Sequence, residues 1–289
     1  MTLFYKKIFS YISLTRLNQP IGILLLLWPT MWALWLSSSG RPDLKIVWIF
    51  ICGVIVMRSA GCVINDLADK NFDGHVERTK NRPLVTGEIT ALAASLMLVF
   101  LLMLALGLVW HLNYLTLKLS FLAVFLAATY PYMKRFFIIP QAYLGIAFGF
   151  GIPMAYASTI NYVPMEALIL LVANVFWAIA YDTEYAMVDR DDDRNLDIKT
   201  SALLFGEKDV FFVPLFQAFF LISMSYAGWI KGMGSFYFCS LLLSIFLFGV
   251  QYEMFVNRDR AGCFAAFKNN NWVGVTIFLG IFLDTNLVR

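Results

Sequence analysis

Charge is scarce in this chain: Asp, Glu, Lys and Arg make up only 14% of its 289 residues. Histidine is scarcer still, with two copies, His75 and His111, too few for a histidine-based metal centre. The four cysteines, Cys52, Cys62, Cys239 and Cys263, show no C-x-x-C spacing and fall mostly within or beside apolar runs. That excludes a disulfide framework or a zinc ribbon and marks them as free packing residues. A formal net charge of +3 is too small to argue for a nucleic-acid partner. The opening MTLFYKKIFSYISLTRLNQP has no small-residue cleavage site after its first apolar stretch, so no cleavable signal peptide is expected.

What the chain has instead is apolar surface. It is 60% hydrophobic and 17% aromatic, with a mean hydropathy of +0.72, above the ~45–50% apolar share of soluble domains. A bilayer core of about 30 Å needs roughly 20 apolar residues per helix. Runs of that length cover 20–36, 46–64, 90–110, 114–131, 137–159, 164–181, 210–230, 234–254 and 272–288. The sequence therefore predicts an all-α membrane protein of nine transmembrane helices in a single domain, 1–289, with 1–19 as a basic interfacial segment carrying Lys6, Lys7 and Arg16. With the N-terminus in the cytoplasm, sixteen of the 22 Lys and Arg fall on the cytoplasmic side and five on the other, while Arg58 stays in the membrane. The positive-inside rule favours that orientation.

The carboxylates are concentrated. Of 19 Asp and Glu, 14 lie in two windows, 65–89 and 182–209, which this topology puts on the same cytoplasmic face. Asn65, Asp69 and Asp73 stand at i, i+4 and i+8 on a helix expected to continue from the second span. Asp182, Asp189 and Asp193 stand at i, i+7 and i+11 on one expected from the sixth. Like charges on one helix face repel by about 0.2–0.5 kcal/mol per pair, so a counter-cation is expected. Mg²⁺ suits the donors, because it takes oxygen ligands and is held by one or two carboxylates plus substrate phosphates. Two carboxylate arms could hold two Mg²⁺ bridged by a diphosphate, with Arg78, Lys80, Arg82, Arg190 and Arg194 as phosphate contacts. Two solvated loops would explain the basic residues but not one-faced carboxylates, twice. The spacing also fits a four-helix unit used twice, with one extra helix.

Arg58 lies seven residues before Asn65, on the same helix face and about two turns deeper. An intramembrane arginine faces a cavity or a partner, so Arg58 is a candidate anion ligand; pairing with Asp66 or a carbonyl is the alternative. Among the aromatics, Tyr130 and Tyr181 are the candidates to shield a cation. Trp28, Trp32, Trp35, Trp177, Tyr132 and Tyr185 read as packing or interface residues. A cation transporter would need carboxylates near the bilayer midplane, and the span interiors have no charge but Arg58.

These residues resemble the UbiA-type intramembrane aromatic prenyltransferases. The family's N-D-x-x-D-x-x-x-D motif stands here as Asn65, Asp66, Asp69 and Asp73, its D-x-x-x-D as Asp189 and Asp193, and its Y-x-x-x-K as Tyr130 and Lys134. The longer stretches TRLNQPIGILLLLWPTMWALW, RSAGCVINDLADKNFDGHVERTKNRPL and YDTEYAMVDRDDD are similar to the branch of the family that acts on 4-hydroxybenzoate in ubiquinone synthesis. The resemblance implies a polyprenyl diphosphate and 4-hydroxybenzoate as substrates and Mg²⁺-dependent transfer to the ring carbon ortho to the hydroxyl. Homogentisate, a naphthoate or haem are the alternative acceptors within the family. It further implies Asn65, Asp69, Asp73, Asp189 and Asp193 around the metal, with Arg58, Arg78, Arg82, Tyr130, Tyr181 and Asp182 around the substrates. Lys134 and Arg135, at the end of the fourth span, would bind diphosphate oxygens or the benzoate carboxylate. The expected setting is the bacterial inner membrane. The site would open to the cytoplasmic face beneath a cap formed by the loops after helices 2, 4 and 6, with no obligate protein partner.

Overall fold

The computed structural model describes residues 2–70, 73–75, 78–133, 136–195 and 199–288, and among them there are helices and turns but no strand. In chain order the α-helices are α1 (Thr2–Leu14), α2 (Ile21–Ser37), α3 (Leu44–Asp69), α4 (Ala91–Val109), α5 (Tyr114–Met133), α6 (Pro140–Gly149), α7 (Gly151–Ile160), α8 (Met165–Val188), α9 (Arg190–Asn195), α10 (Ser201–Phe205), α11 (Asp209–Lys231), α12 (Ser235–Phe255) and α13 (Arg260–Leu283).

Side chains with local acceptors start several of these helices. The Asp43 carboxylate accepts from Lys45 N at 2.7 Å ahead of α3, Thr90 Oγ1 from Ala93 N at 3.2 Å ahead of α4, and Asp259 from Gly262 N at 2.7 Å ahead of α13. Among the described residues seven helical stretches are long and apolar enough to cross a membrane: α3, α4, α5, the α6–α7 run, α8, the stretch Ser201–Lys231 and α12. Helix α2, at 17 residues, is shorter. Helix α13 is not among the seven. It begins twelve residues before the expected ninth span, because its first half carries Arg260, Lys268, Asn269, Asn270 and Asn271, which apolar-run counting passes over.

Leu96, Phe100, Leu242 and Phe246 are exposed on the outside of the bundle, as a hydrocarbon solvent requires. The core is instead built from small residues and rings. A Cβ at Gly145 would stand 2.7 Å from the Val175 Cα, so α6 lies directly on α8, and Gly274 in α13 gives its space to the Trp28 ring of α2. Trp32, Trp177 and Phe220 pack in one cluster, with Trp177 against Trp32 at 5.3 Å and against Phe220 at 5.6 Å between centroids. Helices α2–α8 and α13 surround a cavity of about 1040 Å³, to which α11 and α12 contribute no lining residue.

Both acidic segments depart from the continuous helices expected. Helix α3 ends at Asp69, and Asp73 opens a separate 3-10 turn, Asp73–His75. Helix α8 ends at Val188; Asp189 sits at the break (φ −102°, ψ 9°) and Asp193 lies in α9. Each carboxylate pair thus straddles a helix end, which lets the second member turn toward the cavity rather than continue along a rod.

Candidate active site

Asn65, Asp69 and Asp73 line one side of the cavity mouth and Asp189 and Asp193 another, although more than a hundred residues separate the two groups. Arg58, Arg78, Arg82, Tyr130, Tyr181 and Asp182 line the same cavity. Of the residues expected at the site, only Lys134 and Arg135 lie outside the described residues.

Arginines tie the mouth together. Arg78, on the segment after the first acidic pair, reaches across to Asp189 with Nε at 2.8 Å and Nη2 at 2.5 Å from Oδ2, and its guanidinium lies 4.8 Å from the Tyr185 ring centroid. Burial works against the Arg78 charge, but Tyr185 and the two bonds to Asp189 outweigh it and raise its affinity for the proton. Arg82 Nη1 bonds Asp73 at 2.5 Å and lies 3.0 Å from Asp66 Oδ1. Burial pushes the Asp73 carboxyl above its ordinary range, and Arg82 opposes the shift.

Asp66 carries more of the site than sequence reading gave it. Its side chain is fully buried and takes both Arg82 and Arg16, the latter at 2.7 Å. Arg16, assigned above to the headgroup layer, turns inward instead: its backbone sits in the left-handed region (φ 56°) after α1, and its guanidinium enters the cavity wall. Arg190 is also corrected. It bonds the buried Asp209, which accepts from Arg258 Nε at 3.0 Å as well, and Arg190, Arg194 and Lys80 line no part of the cavity.

Deeper in, Arg58 has no ion pair among the described residues. Its Nε is buried without a hydrogen-bond partner, and its guanidinium faces the Phe148 ring at 5.5 Å. A Cβ at Gly22 would stand 2.5 Å from that Nε, so glycine makes room for it. Tyr181 is buried with its hydroxyl unpartnered, edge-on to Trp177 at 5.4 Å. Of the tryptophans expected to pack, three have their N–H groups satisfied, Trp28 by Asn271 at 2.9 Å, Trp32 by Gly274 O at 3.0 Å and Trp177 by Asn270 at 2.8 Å, while Trp35 packs edge-on to Phe278 at 5.0 Å with its N–H buried and unsatisfied. Gln141, Lys199, Thr200, Lys268 and Asn271 also line the cavity and were not anticipated. Polar residues inside otherwise apolar helices were the available signal for Gln141, Lys268 and Asn271.

Residues 26–278 match the UbiA prenyltransferase family. The chain belongs to this family. It is 56% identical over 276 residues to a 4-hydroxybenzoate octaprenyltransferase of Methylobacillus flagellatus, covering 96% of this chain and 93% of that one. It is 55% identical over 274 residues to the enzyme of the same name from a Janthinobacterium species, covering 95% and 96%. In three dimensions it resembles the apo structure of a UbiA homolog from Aeropyrum pernix, with TM-score 0.78 and 25% identity over 90% of this chain and 97% of that one. A UbiA homolog from Archaeoglobus fulgidus, solved bound to GPP and Mg²⁺, shares the fold at TM-score 0.69 and 16% identity, over 94% and 99%.

For a UbiA prenyltransferase the donors at the mouth fit Mg²⁺. They are all oxygens, they come from two arms facing one cavity, and cationic arginines hold them in place. Among the described residues no three carboxyl, thiol or imidazole groups converge into a closed metal cage.

Proposed function

We propose that this UbiA prenyltransferase moves a polyprenyl group from polyprenyl diphosphate to the ring carbon ortho to the hydroxyl of 4-hydroxybenzoate, a membrane step of ubiquinone biosynthesis. The observation that carries the reading is identity above one half, along almost the whole chain, to relatives named 4-hydroxybenzoate octaprenyltransferase. The site supports it, with anion-binding groups at a cavity mouth and an apolar interior large enough for an isoprenoid segment.

In this reading Asp69 and Asp73 on one arm and Asp189 and Asp193 on the other hold two Mg²⁺, with Asn65 as a neutral ligand or orienting group. Bound there, Mg²⁺ supplies the positive charge that makes diphosphate a good leaving group. Arg78 and Arg82 already point their guanidinium groups at the mouth and contact diphosphate oxygens. Lys134 joins them on the strength of the family's Y-x-x-x-K motif, and Arg135, next in sequence, shares the acceptor's carboxylate with Arg58. Arg58, unpaired and deeper, holds the acceptor's carboxylate; Tyr130 and Tyr181 present ring faces to the developing allylic cation. Asp182 binds on the acceptor side. Tight packing around the cavity keeps water from the cation. The chain forms one domain that crosses the bacterial inner membrane nine times, counting α2 and α13, with the N-terminus cytoplasmic. The loops after the second, fourth and sixth spans cap a site open to the cytoplasm.

The test is a prenyl-transfer assay on the purified protein with octaprenyl diphosphate and a panel of aromatic acids. Prenylated 4-hydroxybenzoate that disappears in excess chelator and returns with Mg²⁺ is expected. Preference for homogentisate or a naphthoate would move the chain to another branch of the family, and full turnover in chelator would remove the metal role.

A further inference from the structure

We propose that Asp182 is the base that removes the ring proton once the new carbon–carbon bond has formed. The proposal rests on the acceptor being a phenolic acid, as above. Asp182 precedes Asp189 by seven residues on α8, which sets it two helical turns, about 10 Å, deeper than the mouth. Arg58 precedes Asn65 by the same seven residues on α3, and both charged groups line the cavity from different helices. Arg58 is among the cations whose field reaches Asp182, and the phenols of Tyr130 and Tyr181 lie within electrostatic range as well. An acceptor anchored by its carboxylate on Arg58 is therefore held beside Asp182.

Of the other carboxylates in the cavity, Asp66 is bonded to Arg16 and Arg82, Asp73 to Arg82 and Asp189 to Arg78. Asp69 and Asp193 belong to the metal arms. Asp182 has no ion pair among the described residues; the neutral side chain of Gln141 is the nearby group that favours its charge besides the fields of Arg58 and Arg78. Gln141, on α6, is almost wholly buried, and its Oε1 accepts from the Ser201 backbone N–H at 3.2 Å. That bond holds the Gln141 amide in place at the cavity wall. With a neutral amide nearby and no ion pair among the described residues, the Asp182 carboxylate keeps lone pairs free to take a proton. A carboxylate already engaged by arginine or metal is a much weaker acceptor.

The step balances as follows. The allylic C–O bond breaks and its electron pair leaves with diphosphate, while the ring carbon ortho to the hydroxyl uses a π pair to bond the allylic carbon. The C–H bond at that ring carbon then breaks; its electrons restore the aromatic ring and the proton passes to Asp182. Release of that proton to water as products leave regenerates the carboxylate.

The experiment compares wild-type protein with Asp182→Asn, using 4-hydroxybenzoate carrying hydrogen or deuterium at both ring positions ortho to the hydroxyl. In the wild type proton loss is fast and the isotope effect on kcat stays near one. In Asp182→Asn we expect kcat to fall about 100-fold, the size of a positioned general base. A primary isotope effect should appear with it, and the KM for prenyl diphosphate should stay unchanged. Asp182→Glu, which keeps a carboxylate, should restore an isotope effect near one, and it carries the test if the Asn variant does not fold. The proposal is overturned if Asp182→Asn is slow without any isotope effect, or turns over close to wild type; a diphosphate oxygen or another group is then the base. It is overturned equally if Asp182→Glu shows the full isotope effect. Wild-type protein that fails to prenylate 4-hydroxybenzoate at all would defeat the proposed function instead.

Discussion

Asp66→Asn is nearly isosteric, yet it should reach both the stability and the metal requirement of the enzyme. The Asp66 side chain is fully buried, and its partners Arg16 and Arg82 are only 16% and 14% exposed. Neutralising it leaves two largely buried guanidinium groups with one counter-charge between them, the Asp73 carboxylate on Arg82. Removing one partner of a buried ion pair costs about 3–5 kcal/mol. The amide oxygen can still accept one bond, so the lower end, about 3 kcal/mol, applies. For a chain of this size that corresponds to a drop of roughly 6 °C in the melting temperature in detergent. There is a second effect. Arg82, released from Asp66, settles wholly on Asp73, only 2.5 Å away, and competes with the metal there. We expect the Mg²⁺ concentration for half-maximal turnover to rise about tenfold, equivalent to ~1.4 kcal/mol. Thermal unfolding and an Mg²⁺ titration of prenyl transfer measure the two. Combining the change with Arg16→Met should cost less than the sum of the single variants, because the lone buried cation is removed with its partner. A melting temperature within about 1 °C of wild type, with an unaltered Mg²⁺ titration, would refute the view of Asp66 as the hub of the mouth.

Asp69→Asn and Asp189→Asn should each abolish most turnover while the protein remains folded in detergent; near wild-type rates in either would remove that residue from the metal site. Lys134→Ala should raise the KM for prenyl diphosphate, and Arg135→Ala that for 4-hydroxybenzoate, each about ten- to a hundredfold, since a charge-assisted hydrogen bond is worth roughly 1.5–3 kcal/mol. Identical kinetic profiles would make them one anion site. The docking of α1 should depend on acid pH: Ser10 Oγ donates to Glu88 at 2.7 Å and Lys6 lies 3.3 Å away, and together they hold the Glu88 carboxyl below its ordinary value of 4.5. A lowered folded-state pKa gives a contribution that is full above 4.5 and is lost as pH falls through the lowered value. Hydrogen exchange in α1 should therefore quicken only below pH 4.5, and Ser10→Ala should shrink this pH-dependent protection; exchange indifferent to both would show that the contact does not hold the helix.

Much of the site could be read from the chain because its chemistry is carried by residue types that a bilayer otherwise rejects. Asn65, Asp69, Asp73, Asp189 and Asp193 stood out by type and spacing, and Arg58 by standing in the interior of the second expected span; all six line one cavity. What escaped was non-local or depended on a helix stopping. No spacing rule joins Arg16 to Asp66, fifty residues apart, and an arginine near an N-terminus reads naturally as a headgroup contact. A period of 3.6 residues cannot show that α3 stops at Asp69 or that α8 breaks at Asp189, since the same sequence would keep its face on an unbroken rod. Arg190 was misplaced because its neighbours in sequence are active-site residues while its partner, Asp209, starts the next long helix.

The polar stretch of α13 has a consequence for how the protein is made. Asn270 bonds Glu184 of α8 at 2.8 Å and receives the Trp177 N–H, Asn271 receives that of Trp28, and Asn269 accepts from Gln251 of α12 at 3.2 Å. Alone in lipid, three consecutive amides and a lysine make a poor insertion signal, and Glu184 without Asn270 would keep only the 3.4 Å bond from Gln217. Neither helix is therefore comfortable until the other is beside it. Helix α13 follows α2, α8 and α12 in the chain and finds side-chain partners on all three, so that its placement and its tertiary assembly become a single event. A chain lacking α13 leaves Glu184, Trp177, Trp28 and Gln251 without the partners that α13 supplies.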